Sequence, residues 1–479
     1  MGGVSGQSYW LKLAWAALLL VLIAAPRLPF MADVLTGEEG QFAALVLNDP
    51  PTSTLDPDHL PREIAGSIDG KLILSSFHRT VMPYIVLERL GRLFAPRDAL
   101  GRLPAKELTV AARLPFALIF LLGSAGLIAL TVQAATSRYK YPSWALAVAP
   151  LAVTLWSLSS PLAVGASIEP QLDGSAGVLL LGTATTLLAL GTIESRSARW
   201  RFLAAGVLAG LGKHEWALAF AVAAFGAALT ALWLSPTRRN AGLAFAAFFA
   251  GLVLAVALSY AISPADYQEG FDVMAAFYAK TGGHLWALER PQWPLTLPIV
   301  ALILVDGVLL VVMLRSVARE TPGLLLAYLG ATAIAAGYAI SGWPGDNFPR
   351  YFAPPLVMLP IVFIALWRQS KNYIAPAIGW SVVAASVLGL FASVIFLADS
   401  YNDKVSIAEF RGRPLARSER DIATAADLAH RTGDIVLTQT TTWIYHQNIN
   451  FLRATKVWAE REVAANFPAF KDRIVTPPR

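Results

Sequence analysis

Residues 215–262 read EWALAFAVAAFGAALTALWLSPTRRNAGLAFAAFFAGLVLAVALSYAI. Two almost wholly apolar blocks stand on either side of a short loop that carries Arg238 and Arg239. A helix of about 20 residues is long enough to cross the hydrocarbon core of a bilayer, because each residue adds about 1.5 Å. The stretch therefore predicts two transmembrane helices joined by a short basic loop.

The same pattern covers most of the chain. Of its 479 residues, 56% are hydrophobic and only 15% are charged, whereas charged residues make up about a quarter of an ordinary soluble protein. Because backbone polar groups in lipid must be paired within their own segment, long apolar blocks predict helices and not the strands of a barrel. The sequence thus predicts a polytopic α-helical membrane protein. Its eleven predicted spans are 10–26, 108–133, 142–160, 173–193, 199–212, 215–234, 240–262, 293–314, 322–341, 353–367 and 373–398.

The short loops that follow the even-numbered spans are all basic. An excess of Lys and Arg marks cytoplasmic loops, so we expect this side to face the cytoplasm, in the inner (plasma) membrane of the cell. The block 199–234 is compatible with one broken helix or with two short ones, and only two helices keep every basic loop on one side. The net charge of +6 is accounted for by topology and does not indicate nucleic-acid binding. The basic loop residues are Arg138, Lys140, Arg196, Arg199, Arg201, Arg238, Arg239, Arg315, Arg319, Arg368 and Lys371.

The opposite, outer side receives the long first loop, about 27–107. Two stretches in it, Glu38 to Asn48 and Arg79 to Leu93, have apolar residues at helical spacing. We expect these stretches to form amphipathic helices that lie along the membrane surface.

The polar tail, residues 400–479, predicts a small soluble α/β domain on the extracytoplasmic side. A helix is expected at Glu419–Arg431 and a strand at Asp434–Gln439. Residues 1–399 then form the transmembrane domain.

Two groups of carboxylates on the outer side are candidate site residues. Glu38 and Glu39 follow the first span, where apolar surroundings raise the pKa of a carboxyl group and favour a general base. The alternative is an acidic helix start stabilised by the helix dipole. Glu169 and Asp173 lie close to the hydrocarbon, where carboxylates are costly and often functional, although Asp173 is also suited to capping a helix. The four carboxylates together are suited to hold a divalent metal ion through oxygen ligands, and a site without metal is the alternative.

Three basic sites on the same side are candidates for binding a phosphate group. A guanidinium fork and an ammonium both pair with phosphate oxygens. The alternatives are a side chain that extends to the interface, an aromatic anchor in the membrane belt and a solvated helix start. The sites are Lys213-His214-Glu215, Arg350-Tyr351 and His78-Arg79. Carboxylates beside phosphate-binding cations favour a reaction in which a lipid phosphate leaves and a carboxylate deprotonates an acceptor hydroxyl or amine.

Five short motifs, in this order, resemble those of the C-type (GT-C) glycosyltransferase superfamily, in particular the branch with protein O-mannosyltransferases and lipid A aminoarabinose transferases. Glu38-Glu39 stands where that family has an Asp-Glu pair. Residues 77–84 (FHRTVMPY) resemble its basic start of a surface helix, although His-Arg replaces the usual Lys-Pro. Residues 112–118 (ARLPFAL) are similar to its Arg-Leu-Pro start of span two. Residues 210–213 (GLGK) resemble its Gly-x-x-x-Lys turn, and residues 350–355 (RYFAPP) its Arg-Tyr-x-x-Pro start of a late span.

The resemblance implies a polyprenyl-phosphate sugar donor, inversion at the anomeric carbon, and an acceptor that is a lipid, a glycan or a protein. It implies that Glu39, or else Glu38, is the base. Lys213, Arg350 and either His78 or Arg79 would hold the donor phosphate, and no metal or other cofactor is generally required. Further candidates near the site are Glu169, Asp173, His214, Glu215 and Tyr351.

Two other functions are compatible with the sequence. A transporter or lipid flippase would place ionisable residues near the middle of the bilayer, often within internal repeats. No repeat is evident, and the ionisable residues lie mainly at one face of the membrane. A non-catalytic scaffold or glycan-binding subunit is the third hypothesis.

Overall fold

The computed structural model describes residues 3–31, 64–68, 71–74, 105–137, 144–168, 172–262, 293–341, 348–370, 376–401, 435–437, 457–458 and 474–475. The described helices are α1 (Gly3–Ala24), α2 (Ala105–Gly123), α3 (Ala125–Ala135), α4 (Trp144–Leu158), α5 (Pro161–Ile168), α6 (Leu172–Gly177), α7 (Thr183–Ala189), α8 (Ala198–Gly210), α9 (His214–Leu234), α10 (Arg238–Ile262), α11 (Trp293–Glu320), α12 (Pro322–Ser341), α13 (Phe348–Ser370) and α14 (Pro376–Tyr401). A 3₁₀ helix (Ala25–Phe30) extends α1, and a π-helical turn (Val178–Gly182) joins α6 to α7.

Each predicted span overlaps one or more of the described helices. Six described helices are long and apolar enough to cross a membrane, or eight if each bent pair counts as one span. The chain is therefore a multi-pass helical membrane protein. The count of eleven stays a prediction, because α8 has only 13 residues and the helices at Gly174–Ala189 and Pro322–Tyr338 are short. Within 199–234 the structure has two helices, since α8 ends at Gly210 and α9 begins at His214.

The predicted span 108–133 is a bent pair of helices, and the span 142–160 corresponds to α4, which is followed beyond the predicted end by a second helix, α5, at an angle to it. The axis turns by 43° between α2 and α3 and by 53° between α4 and α5. At the second bend Pro161 begins α5, and the Ser160 hydroxyl accepts a hydrogen bond from the Ala163 N–H at 3.3 Å. A proline at the first position and a serine side-chain cap both start a new helix, which explains why the axis changes here.

Helix α13 is the centre of the bundle. Its apolar window is 94% buried, against 22–39% for the other long spans. Pro360 lies within it and has no N–H to donate to the Leu356 carbonyl one turn earlier. The Ser157 hydroxyl of α4 donates to that carbonyl instead. This hydrogen bond satisfies the Leu356 carbonyl, which has no donor within its own helix and would find none in lipid.

Basic loop residues converge at one end of the bundle. Arg319 Nε donates to the Leu234 carbonyl at 3.0 Å, and Arg368 Nη1 donates to Gln133 Oε1 at 2.9 Å. The ends of α9, α11, α13 and α3 therefore share one face, as the charge pattern of the loops predicts. The inward or outward orientation of that face stays a prediction.

Two small sheets lie outside the helices. β1 (Ile64–Ile68) and β2 (Lys71–Leu74) form an antiparallel hairpin in the first loop, which the sequence analysis did not predict. In the tail, β3 (Ile435–Leu437) lies within the predicted strand and pairs in parallel with β4 (Val457–Trp458) and β5 (Ile474–Val475). The two amphipathic stretches of the first loop and the helix predicted in the tail lie outside the described residues.

Candidate functional site

The candidate site residues divide into three groups by what the structure describes. Lys213, His214, Glu215 and Tyr351 are described with their side chains. Asp173 and Arg350 lie in α6 and α13, but their side chains are outside the described part. Residues outside the described ranges altogether are Glu38, Glu39, His78, Arg79 and Glu169.

Lys213 stands at the junction between α8 and α9. Its backbone is extended (φ −76°, ψ 154°), so it ends the turn and does not continue either helix. Its carbonyl accepts hydrogen bonds from the backbone N–H groups of Trp216 and Ala217, both at 3.1 Å. The backbone around Lys213 is thus fixed by the first turn of α9.

The Lys213 side chain is buried against a pair of tyrosines. Only 3% of the residue is exposed, and Nζ lies 4.4 Å from the ring centroid of Tyr351 and 5.9 Å from that of Tyr338. The two rings stack with their centroids 4.6 Å apart and an angle of 17° between their planes. A cation on an aromatic face is stabilised by the ring quadrupole. The rings add no negative charge of their own, so they stabilise the ammonium without neutralising it.

Trp216 completes this group of side chains. Its indole N–H donates to the Tyr338 hydroxyl at 2.9 Å, which fixes one ring of the stack. The edge of the indole lies against Gly177 of α6, where a Cβ atom would be 2.4 Å from Cη2. The same Cβ would lie 3.2 Å from Cγ of Pro354 in α13. We call Lys213, Trp216, Tyr338 and Tyr351 the lysine cage.

The lysine cage unites two of the five motifs. Residues 210–213 supply its cation and residues 350–355 supply Tyr351, with Pro354 close behind. His214 and Glu215, the other two candidates at this turn, are half-buried in the first turn of α9. A carboxylate at this position interacts favourably with the positive end of the helix dipole.

Two buried arginines anchor the segment that leads to Glu38-Glu39. Arg113, 3% exposed, donates from Nη1 to the Phe30 carbonyl at 2.5 Å. Arg27, 2% exposed, donates to Ser167 Oγ at 2.6 Å and to the Leu158 carbonyl at 2.8 Å. Phe30 precedes Glu38 by eight residues, so an extended chain reaches at most about 28 Å beyond this anchor. The acid pair is therefore tethered to the bundle at the Arg-Leu-Pro motif.

Three residues at these contacts, Arg27, Trp216 and Tyr338, were not among the predicted site residues. Trp216 follows Lys213 by three residues, and this helical spacing could have indicated a contact. Tyr338 lies in an otherwise apolar span with no nearby motif, so nothing local distinguishes it from an interfacial aromatic residue.

The carboxylates of the predicted metal site lie outside the described part of the chain. Within the described ranges no group of three or more His, Asp or Glu side chains is placed to hold a metal ion. Glu38, Glu39 and Glu169 lie outside those ranges, and of Asp173 only the backbone is described.

Comparison with known proteins identifies no family. No protein-family model matches the sequence, and no curated protein matches it. Among solved structures, the chain is similar to ArnT from Cupriavidus metallidurans, whose crystal structure is that of the protein bound to undecaprenyl phosphate. The TM-score is 0.48 and the sequences are 15% identical, over 97% of this chain and 89% of that one.

Proposed function

We propose that this protein is an inverting glycosyltransferase of the GT-C type. It would move a sugar from a polyprenyl-phosphate donor to an acceptor hydroxyl or amine at the extracytoplasmic face of the membrane. The observation that carries the proposal is the contact between Lys213 Nζ and the ring of Tyr351. It joins two motifs that are far apart in the sequence and that resemble phosphate-binding motifs of one family.

The proposed reaction divides the work between cations and a carboxylate. Glu39, or Glu38, removes the proton from the acceptor, and the acceptor oxygen or nitrogen attacks the anomeric carbon. The bond between that carbon and the phosphate oxygen breaks, and polyprenyl phosphate leaves with the electron pair. Lys213, Arg350 and His78 or Arg79 stabilise the negative charge that develops on the phosphate. A buried ammonium is well suited to this role because its interaction with an anion strengthens away from water.

The lysine cage explains how such a cation is kept in an apolar bundle. Burying a charge is costly unless it is stabilised by its surroundings. Tyr338 and Tyr351 provide that stabilisation through their ring faces, and Trp216 holds Tyr338 in position.

The test follows a product that every sugar donor of this class would release. The full-length protein in nanodiscs is given a panel of polyprenyl-phosphate sugars and acceptors, and release of polyprenyl phosphate is measured by mass spectrometry. The double variant Glu38→Gln, Glu39→Gln should lose about 10²- to 10⁴-fold in rate, as expected for removal of a general base. Glu320→Gln, at the basic face of the bundle, is the matched control and should keep full activity. Near-normal release by the double variant would refute the catalytic assignment.

An alternative form of the proposed site holds a divalent metal ion on the four outer carboxylates, those of Glu38, Glu39, Glu169 and Asp173. Activity that is lost with a chelator and restored by one divalent ion would support it. Activity that is indifferent to chelation would support the site without metal.

Lipid transport is the second candidate function, because Asp306 is fully buried in the middle of a long span. Buried ionisable residues within membranes often belong to transport pathways. Movement of labelled polyprenyl phosphate across proteoliposomes, with no cleavage of any donor in the panel, would favour transport over transfer.

A further inference from the structure

Asp306 is a carboxyl group buried inside the membrane-spanning part of α11. The residue is 0% exposed, and neither carboxylate oxygen has a hydrogen-bond partner within the described residues. It lies nine residues from Leu297 and fourteen from Glu320, the ends of the span. At about 1.5 Å per residue, these ends are about 14 and 21 Å away along the helix. Neither the proposed transfer reaction nor any of the five motifs uses this group.

The buried face of α11 sets the direction of Asp306. Buried residues recur at helical spacing along α11, and the exposed ones lie on the opposite side. The buried residues are Pro298, Ile299, Leu302, Asp306, Leu309, Leu310, Met313, Val317 and Ala318. The carboxyl group therefore lies inside the bundle and not toward lipid, which is where functional membrane carboxylates are found.

A hydroxyl group of α12 lies at the same interface. The Tyr328 hydroxyl donates to the Ile303 carbonyl at 3.1 Å, and a Cβ on Gly307 would be 2.7 Å from it, so it lies over the turn that contains Asp306. The two carboxylate oxygens of Asp306 remain without a hydrogen-bond partner within the described residues.

The ionised form of a carboxyl group is energetically unfavourable inside an apolar bundle when no partner neutralises its charge. Transferring an ionised group from water to an apolar interior is strongly unfavourable unless the charge is neutralised. Within the described residues, the elements packed against α11 are α13, α12, α9, α14 and α5. Tyr328 is the titratable group beside Asp306. The other titratable groups in these helices lie near their ends: Arg315, Arg319, Glu320, His214, Glu215, Tyr338, Arg350, Tyr351, Arg368, Asp399 and Tyr401.

We propose that Asp306, together with Tyr328, binds one monovalent cation, a proton or Na⁺, inside the bundle. Either cation neutralises the carboxylate, and Na⁺ is in addition coordinated by the hydroxyl oxygen of Tyr328. The site is separate from the lysine cage, so its occupancy is measurable whether or not sugar transfer takes place.

The test measures thermal unfolding of the full-length protein in nanodiscs. One series varies pH from 5.5 to 9 in choline chloride, and a second exchanges choline for Na⁺ at constant ionic strength. A ligand that binds only the folded protein raises Tm with its concentration, so the wild type should gain about 3 °C or more over one of the two series. Asp306→Asn should lose that dependence, whereas Glu320→Gln, an exposed acid at the end of the same helix, should keep it.

The two series distinguish the two cations. A rise in Tm with Na⁺ at fixed pH identifies Na⁺, and a rise only toward low pH identifies the proton. Parallel curves for the wild type and Asp306→Asn in both series would overturn the proposal.

A second measurement decides the matter if Asp306→Asn does not fold. A hydrophobic carbodiimide reacts with protonated carboxyl groups in apolar surroundings, and peptide mass spectrometry locates the product in the wild-type protein. We expect labelling at Asp306 that decreases as pH rises or as Na⁺ is added. Absence of label at Asp306 throughout the pH range, or labelling that neither pH nor Na⁺ changes, would overturn the proposal.

Discussion

Replacing Lys213 by Gln is the most direct test of the lysine cage. The substitution removes the positive charge and keeps a polar side chain of similar length. Lys213 Nζ lies 4.4 Å from the Tyr351 centroid and is almost fully buried. The substitution therefore removes a buried charge from the proposed donor-phosphate site.

Two magnitudes separate the catalytic from the structural effect. A cation–π contact contributes about 0.5 to 2 kcal/mol, and part of this is offset because a neutral side chain is easier to bury. A hydrogen bond to a charged group contributes about 1.5 to 3 kcal/mol. If that hydrogen bond is lost from the transition state, kcat/KM falls by about 10- to 150-fold, because about 1.4 kcal/mol corresponds to a tenfold change in rate. Lys213→Arg keeps the charge and stacks on tyrosine rings, so it should retain more activity than Lys213→Gln.

The assay is release of polyprenyl phosphate by purified protein, with thermal unfolding measured on the same samples. Arg319→Gln is the matched control, because it removes a basic residue at the opposite end of the bundle. The proposed role of Lys213 is wrong if Lys213→Gln folds normally and keeps activity within twofold of the wild type. It is also wrong if Lys213→Gln loses no more activity than Arg319→Gln.

Three other substitutions test the packing around the site. Arg113→Gln should lower kcat at least tenfold with little change in the donor KM, because it releases the anchor of the acid-pair segment; an unchanged kcat would contradict this positioning role. Gly177→Ala should destabilise the fold by about 1–3 kcal/mol, because the new Cβ would overlap the indole edge of Trp216. Gly337→Ala is the control, since its Cβ would lie in open space. Equal Tm values for the two variants would contradict the packing described for Gly177. Ser157→Ala should lower the free energy of unfolding by about 1–3 kcal/mol, because it leaves the buried Leu356 carbonyl without a donor. Adding Pro360→Ala restores a helix N–H and should recover most of that stability. A double variant whose loss of stability is the sum of the two single losses would refute this account.

The helical segments were predictable because lipid leaves the backbone few alternatives. An apolar block of sufficient length must pair its own N–H and C=O groups, so composition alone identifies helices such as α9, α10 and α14. The shared face of the basic loops was predictable for a related reason. Charged side chains are excluded from the hydrocarbon core of the bilayer, and Lys and Arg are concentrated in the loops on one side of it. Contacts of Arg319 and Arg368 at one end of the bundle agree with that prediction.

Features that depend on contacts between distant segments were not predictable. The bend after α4 rests on a Ser-Ser-Pro sequence that also occurs in loops, and the helical path of α13 through Pro360 depends on a hydroxyl from α4. The β1–β2 hairpin is different, because its signal was present and was overlooked. Asp69-Gly70 stands between two apolar runs, which is a strong hairpin indicator.

The lysine cage shows where sequence reasoning about a site reaches its limit. Lys213 and Tyr351 each belong to a recognisable motif, so each was a candidate, but no pattern in the sequence indicates that one lies on the ring of the other. Tyr338 carries no motif and is necessary to the stack. The arrangement has a physical reason. If a carboxylate took the place of Tyr351, it would pair with the ammonium and weaken its attraction for a phosphate, whereas an aromatic face stabilises the same charge without adding an opposite one. A membrane enzyme whose leaving group is an anion gains from that difference, and replacing Tyr351 by Glu should therefore weaken donor binding more than replacing it by Phe.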